Sequence, residues 1–303
     1  MNHSAFQEQL SHFPFDAALI LQQLEKQMGR LDPQQITELC ELLSLAPEDL
    51  LKALMPLAAS MSTCPISGFY VGAIVEGYRE GVQGPFYLGA NLEFEGHPLK
   101  MSVHAEQSAI SNAWHQGETR LRRLYVNEAP CGHCRQFMNE LHRVEDMEFV
   151  VNQLEETGQK NTYQMSDLLP DAFGPADLDQ EERLLSAASE PLMSPDLDDP
   201  VVVAATQAAS RSYAPYSGCR SGIALVLESG DIITGQYAEN AAFNPGLTAI
   251  EAVICNLRLN NLGKPESSVI DAVLVEKSAN ASHRVLSEAI LTGMDTSLRY
   301  YTI

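Results

Sequence analysis

Residues 66–75 read ISGFYVGAIV, and residues 216–226 read YSGCRSGIALV. Aligned without a gap, they pair Ser67 with Ser217, Gly68 with Gly218 and Gly72 with Gly222. Each stretch ends in an apolar run rich in Val, Ile or Leu and bounded by glycine, which reads as a strand. A second segment repeats at a similar offset. YLGANLEF (87–94) lines up with ITGQYAENAAF (233–243), pairing Gly89 with Gly235 and Glu93 with Glu239. Two copies about 150 residues apart indicate a duplicated domain rather than a solenoid.

Around the first copy the texture alternates. Strands are expected at 69–75, 86–94, 123–127 and 147–153, with helices from His104 and from about Cys131. That order predicts a layered α/β core. The chain before it is helical in pattern. In DPQQITELCELL, Asp32 is placed as N-cap, Pro33 at the first helical position and Gln35 at the third. APEDLLKALMPLAA repeats the Pro-then-acid opening at Pro47. Residues 177–200 are acidic and broken by proline, a linker with one short helix expected at 180–188. The predicted organisation is a helical region at 1–60, an α/β/α domain at 61–176, a linker at 177–200 and a second α/β/α domain at 201–303.

Composition narrows the function. The chain has 303 residues, 45% of them apolar, enough to bury more than one core. No apolar run reaches the length of a membrane span. MNHSAFQEQLSHFPFD lacks the basic and apolar regions of a signal peptide. Six sparse cysteines suit a reducing cytoplasm. A formal charge of −21 repels phosphate backbones, so a nucleic-acid partner is disfavoured. The one basic run, TRLRR at 119–123, reads as a solvated helix end or loop.

VHAEQSAI (103–110) puts Glu106 at the head of a helix that otherwise looks buried, where a carboxylate is costly without compensation. About 25 residues on, APCGHC carries Cys131 and Cys134. A helix start lowers a thiolate pKa, and metal binding requires the thiolate. Pro130 is expected in the first helical turn. His104 is the natural third ligand; Cys64 and His133 are the candidates for a fourth. Three protein ligands with an open position make a catalytic rather than a structural zinc site. Glu106 is placed to move protons for activated water. A lone C-x-x-C could also be a redox pair, but the redox motif needs no H-A-E. H-x-E followed by P-C-x-x-C is the signature of zinc-dependent nucleobase deaminases.

Together, HAEQSAISNAW, APCGHCRQFMNEL, LPDAFGP, YLGANLEF and YAENAAFNP closely resemble the homodimeric, two-domain cytidine deaminases of bacteria, up to about residue 260. The resemblance implies hydrolytic deamination of cytidine and deoxycytidine, by zinc-bound hydroxide attack at C4, as a step of pyrimidine salvage. It implies zinc on His104, Cys131 and Cys134, with Glu106 as acid and base. It implies that Asn91 and Glu93 hold the ribose 3′-hydroxyl, that Phe69 packs on the pyrimidine and that the Ala105 backbone contacts the base. Phe173 would close over the base, in its own chain or across the dimer. By residue type alone, Phe69 and Phe173 read equally as core packing. In the second copy, Thr248-Ala249-Ile250 replaces His-Ala-Glu and no P-C-x-x-C follows. One zinc per chain is therefore expected, with a degenerate C-terminal domain. Cys219 and Cys255 read as buried small hydrophobes.

Overall fold

Pro33 has no N–H to leave unpaired, and the Asp32 N–H donates to Gln35 Oε1 at 2.9 Å, so a helix starts where the sequence predicts one. The computed structural model describes residues 3–152, 160–186, 189–260 and 269–303. It divides into two compact units, Met1–Ala172 with Arg258–Gly263, and Phe173–Leu257 with Lys264–Ile303.

The first unit runs α1 (His3–Leu10), α2 (Phe15–Leu21), β1 (Arg30–Leu31), α3 (Pro33–Leu43), α4 (Pro47–Ser60), β2 (Gly72–Gly77), β3 (Phe86–Ala90), α5 (Ala105–His115), β4 (Leu121–Val126), α6 (Gly132–Met138), β5 (Glu148–Asn152), β6 (Lys160–Tyr163) and α7 (Met165–Leu168). Its sheet has the order β1-β3-β2-β4-β5-β6. β2 is antiparallel to β3 and β4, and β4 is parallel to β5. Two glycines set the layers. A Cβ on Gly72 would lie 2.4 Å from the Ala59 nitrogen of α4, and one on Gly89 2.1 Å from the Ala109 nitrogen of α5. Gly89 pairs with Ala73, the neighbour of Gly72, so the two glycines face opposite sides of the sheet. One helix therefore lies close on each face. Phe6, Leu24, Leu39, Leu54, Ile74, Phe86 and Leu88 share one buried cluster that joins the N-terminal helices to this sheet. Buried Asn112 of α5 donates to the carbonyls of Met28 and Leu88 at 2.7 and 2.9 Å, which fixes α5 against β3.

The second unit runs α8 (Pro200–Arg211), β7 (Ser221–Leu227), β8 (Ile232–Gln236), α9 (Ala249–Asn260), β9 (Val269–Glu276), α10 (Arg284–Thr292) and β10 (Leu298–Thr302). Its sheet order is β10-β9-β7-β8. β7 is antiparallel to β8 and β9, and β9 is parallel to β10. The topology of β3-β2-β4-β5 is thus repeated. So is the register irregularity, at Glu76/Gly77 in one unit and Val226/Leu227 in the other. Gly222 and Gly235 meet backbone of α8 and α9 as Gly72 and Gly89 meet α4 and α5. Gly68 and Gly218 share a left-handed φ of +65° and +70°, which glycine adopts without strain.

Five expectations need correction or limits. The strand expected at 69–75 begins only at Gly72, and that expected at 86–94 stops at Ala90. Just before Gly72 the ladder thins to one backbone bond, from the Asn91 N–H to the Val71 carbonyl at 3.2 Å, and side chains make the other bonds. The end of the 147–153 strand, Gln153, lies outside the described residues. No helix forms at 180–186, and 187–188 lie outside the described residues. There Leu184 and Leu185 are both buried, and Leu185 takes a φ of +69°, which a helix does not allow. Pro130 is not in the first turn of α6, because Cys131 is its N-cap and Gly132 its first residue.

Candidate active site and metal centre

Val103 forms an isolated bridge to Leu92, just beyond β3, and the chain then enters α5 with His104 as N-cap. Its backbone N–H is taken by Gln107 Oε1 at 3.2 Å. The ring is thus left to a different task. His104 Nδ1 lies 3.4 Å from Cys131 Sγ. The ligand atoms of His104, Cys131 and Cys134 all fall within 4.8 Å of one another. Bonds of about 2.0–2.3 Å around a tetrahedral zinc put neighbouring donors roughly 3.5 Å apart. The donor set of one imidazole and two sulfurs therefore fits zinc in chemistry and in spacing. Cys131 is pulled down to about 3, first by the hydrogen bond from Cys134 and next by His104.

Neither candidate for a fourth ligand joins this group among the described residues. His133 stacks on His104 instead, centroids 5.0 Å apart and planes 26° apart. Cys64 points its sulfur toward the Asn91 carbonyl at 3.9 Å, and burial pushes its pKa up to about 11. It lines a separate hollow of about 510 Å³ with Pro56, Ala59, Pro65 and Tyr70.

Glu106 lies in the first turn of α5 and is buried. Burial raises its pKa above the usual carboxylate range, opposed by its own backbone N–H, by His104 and by the Cys134 thiol. A carboxyl that keeps its proton more readily than usual, beside three metal-type donors, suits proton transfer.

A cavity of about 330 Å³ is lined by Phe69, Asn91, Glu93, His104, Ala105, Glu106 and Cys131. The residues singled out by the motifs on four separate segments thus share one chamber. Cys134 is buried. Phe69 is not a core residue: it is 56% exposed overall and contributes to this wall. Glu93 Oε2 accepts the N–H groups of Ile66 and Ser67 at 2.9 and 3.0 Å. Burial works against its charge, but the Ser67 hydroxyl and these two N–H groups hold its pKa below the ordinary range. Phe173 belongs to the second unit and is 46% exposed.

Sequence reading missed Ser67, Val71, Leu99, Ser102, Val103, Glu128 and Ala129, which complete the lining. Only Ser67 had a signal, its recurrence at Ser217. Among the described lining residues there is no Lys or Arg, while Glu93, Glu106 and Glu128 are present.

At the equivalent place in the second unit, Leu247 bridges Ala238 as Val103 bridges Leu92, so Thr248 stands where His104 stands. Thr248 is an ordinary cap: its N–H and hydroxyl both donate to Glu251, at 2.9 and 2.7 Å. Glu239 accepts from Tyr216 and Ser217 as Glu93 does from Ile66 and Ser67. Here Tyr237 replaces Asn91, donates its hydroxyl to Glu239 at 3.2 Å, and packs its ring 4.1 Å from that of buried His283.

Two stretches of the chain, 47–151 and 165–288, match the family model described as the cytidine and deoxycytidylate deaminase zinc-binding region. A cytidine deaminase of Haemophilus influenzae (strain 86-028NP) is 42% identical over 296 residues, 96% of this chain and 97% of its own. One from Photobacterium profundum is 38% identical over 98% of this chain and 97% of its own, and one from Shewanella amazonensis 44% identical over 84% and 81%. A crystal structure of cytidine deaminase from Burkholderia pseudomallei covers 43% of this chain and all of its own, at 28% identity and a TM-score of 0.37. With its donor triad, the acid beside it, and relatives alike from end to end, this chain belongs to the cytidine deaminase family.

Proposed function

We propose that the cavity of the first unit binds cytidine or deoxycytidine and that this chain hydrolyses it to uridine or deoxyuridine and ammonia. One observation carries the assignment: Glu106 and the donor group of His104 and Cys131 open onto the same chamber as Asn91 and Glu93, with Cys134 completing the donor set.

His104, Cys131 and Cys134 would hold zinc, which supplies a water whose pKa is brought to about 7. Glu106 takes a proton from the nucleophile and delivers it to N3 of the cytosine ring, which makes C4 electrophilic. The water oxygen bonds to C4, and Glu106 then carries the remaining proton of the C4 hydroxyl to the amino group, which leaves as ammonia as the C4–N bond breaks and the C4 carbonyl forms. Glu93, held ionised by two N–H groups, accepts a hydrogen bond from the ribose 3′-hydroxyl, and the amide of Asn91 adds a second contact. Phe69 flanks the ring, and the Ala105 backbone reads the base. Phe173 closes over the base from its own chain or from a partner. A nucleoside is favoured over a nucleotide because the described lining residues include three glutamates and no cation to meet a 5′-phosphate.

The catalytic domain is assigned to 61–176, preceded by the helical region 1–60 and followed by the linker 177–200. The domain at 201–303 is degenerate, since Thr248 cannot replace an imidazole and Ile250 cannot carry a proton. One zinc per chain follows. The likeness to bacterial two-domain relatives supports a homodimer and a cytoplasmic role in pyrimidine salvage. No described helix is long and apolar enough to cross a membrane.

The test is Glu106→Ala with zinc content and turnover of cytidine both measured. Loss of roughly 10²–10⁴-fold in kcat with zinc retained supports the assignment. Unchanged turnover removes Glu106 from the mechanism, and two zinc atoms per chain in the unmodified protein would end the claim of a degenerate second domain.

A further inference from the structure

Phe69 is presented to the cavity from residues 65–70, an exposed segment that belongs to no strand. An exposed aromatic on irregular backbone makes a poor binding wall unless the backbone is held. Two asparagine side chains hold it. Asn91, just past β3, accepts from the Val71 N–H at 2.8 Å and donates to the Phe69 carbonyl at 2.8 Å. Asn127, just past β4, accepts from the Gly72 N–H at 2.9 Å and donates to the Tyr70 carbonyl at 3.4 Å. β2 lies between β3 and β4. The two amides grip alternate residues of 69–72 from both sides, extending the backbone bonds that the Asn91 and Asn127 N–H groups make to the Val71 and Gly72 carbonyls at 3.2 and 3.3 Å, while the Ser62 hydroxyl donates to the Val71 carbonyl at 3.0 Å. Asn127 is 3% exposed, so its amide is a buried polar group committed to this backbone.

The second unit shows that the fold alone does not require the arrangement. Val126 pairs with Ala73 and Leu274 with Ile223, which places Val275 at the position of Asn127. There the backbone ladder runs on, Gly222 against Val275 and Ser221 against Glu276. Tyr237 stands for Asn91. The residue equivalent to Phe69 is Cys219, which is fully buried and aims its sulfur at the Ala281 carbonyl. Where no wall residue is presented, both amide clamps are gone.

We infer that Asn127 is a positioning residue: it sets the course of 69–72 and thereby the place of the Phe69 ring against the base. The inference rests on the reading of Phe69 as a wall of the nucleoside site. Asn127 is absent from the lining of the cavity, so it acts through the segment and not by contact with substrate.

The experiment is a double-mutant cycle with cytidine as substrate. Asn127→Ala, Asn127→Asp, Phe69→Ala and the Phe69→Ala/Asn127→Ala pair are compared for KM, kcat, zinc content and Tm. Asn127→Ala should raise KM about tenfold or more, the order that a displaced positioning contact costs, with zinc content unchanged. Asn127→Asp keeps the acceptor for Gly72 and loses the donor to Tyr70, so its KM should fall between; it also serves if the alanine variant fails to fold. In the Phe69→Ala background the effect of Asn127→Ala should shrink to about twofold or less. An unchanged KM with a lowered Tm makes Asn127 merely structural and overturns the inference, as does an equal effect in both backgrounds. If Phe69→Ala alone leaves KM unchanged, it is the wall assignment of Phe69 that fails.

Discussion

In one unit the residue that enters the helix after the bridge to Leu92 is His104; in the other, after the bridge to Ala238, it is Thr248. Thr248 spends its hydroxyl on Glu251 and caps the helix. His104 leaves the N–H to Gln107 and turns its ring to Cys131. The glutamate that follows β3 or β8 is gripped by the corresponding two backbone N–H groups in each unit, and Glu93 opens onto a cavity. In the second unit Tyr237 donates its hydroxyl to Glu239 and packs its ring against that of His283. The lesson is that one backbone path serves both roles. A handful of side chains at fixed positions decides what the same path can do.

The comparison is broken most severely at the cap. His104→Ala should abolish zinc retention and activity together, because two thiols alone leave the metal without its imidazole. Thr248→Ala should leave zinc and turnover as they are and lower stability by about 1 kcal/mol, the cost of a lost N-cap. Metal analysis beside denaturant melts checks both; equal effects on zinc would undo the distinction.

The next effect concerns Glu251, at the third position of α9, where the first unit has Gln107. Its burial pushes the carboxyl up from 4.5 to about 7, against the two hydrogen bonds from Thr248. Between those values the unfolded chain releases a proton that the folded chain keeps. Stability therefore falls as pH rises through that window, and the full cost is present by pH 8. Glu251→Gln should raise stability at pH 8 by on the order of 3 kcal/mol and by almost nothing below pH 4.5. Urea melts at the two pH values decide it, and a gain that is the same at both would contradict the assignment.

A smaller and symmetrical effect is expected where the units agree. Gly72→Ala and Gly222→Ala each drive a methyl into helix backbone, at 2.4 Å from Ala59 and 2.1 Å from Ala209. Each should cost about 1–3 kcal/mol. Gly72→Ala should also lower activity, since it shifts the strand that follows Phe69, whereas Gly222→Ala should act on Tm alone. If Gly222→Ala proves neutral, the close approach of α8 is not required.

Much of this was legible before any coordinates. The repeat of Ser-Gly and of Gly-x-x-x-Glu marked the duplication, because close helix-on-sheet packing and the left-handed Gly68 and Gly218 leave few other residues acceptable. His104, Glu106, Cys131 and Cys134 stood out because metal and proton chemistry need those side chains. Asn127 did not, since an amide that grips backbone 55 residues away leaves no period in the sequence. The lining by Leu99, Ser102 and Glu128 was hidden for the same reason. Residues 69–71 carry a strand-like composition, and only the structure shows that their ladder is reduced to one backbone bond, with the Asn91 amide taking the Val71 N–H and the Phe69 carbonyl.

By itself, then, the sequence determined the chemistry and the doubling: residue types fix what a site can hold, and local spacing fixes where helices and strands start. The tertiary structure decided how the two doubled places differ. That depends on Tyr237 meeting His283 in one unit, and on Asn91 and Asn127 holding Phe69 forward in the other. Such contacts join residues far apart in the chain, and only folding brings them within hydrogen-bond distance.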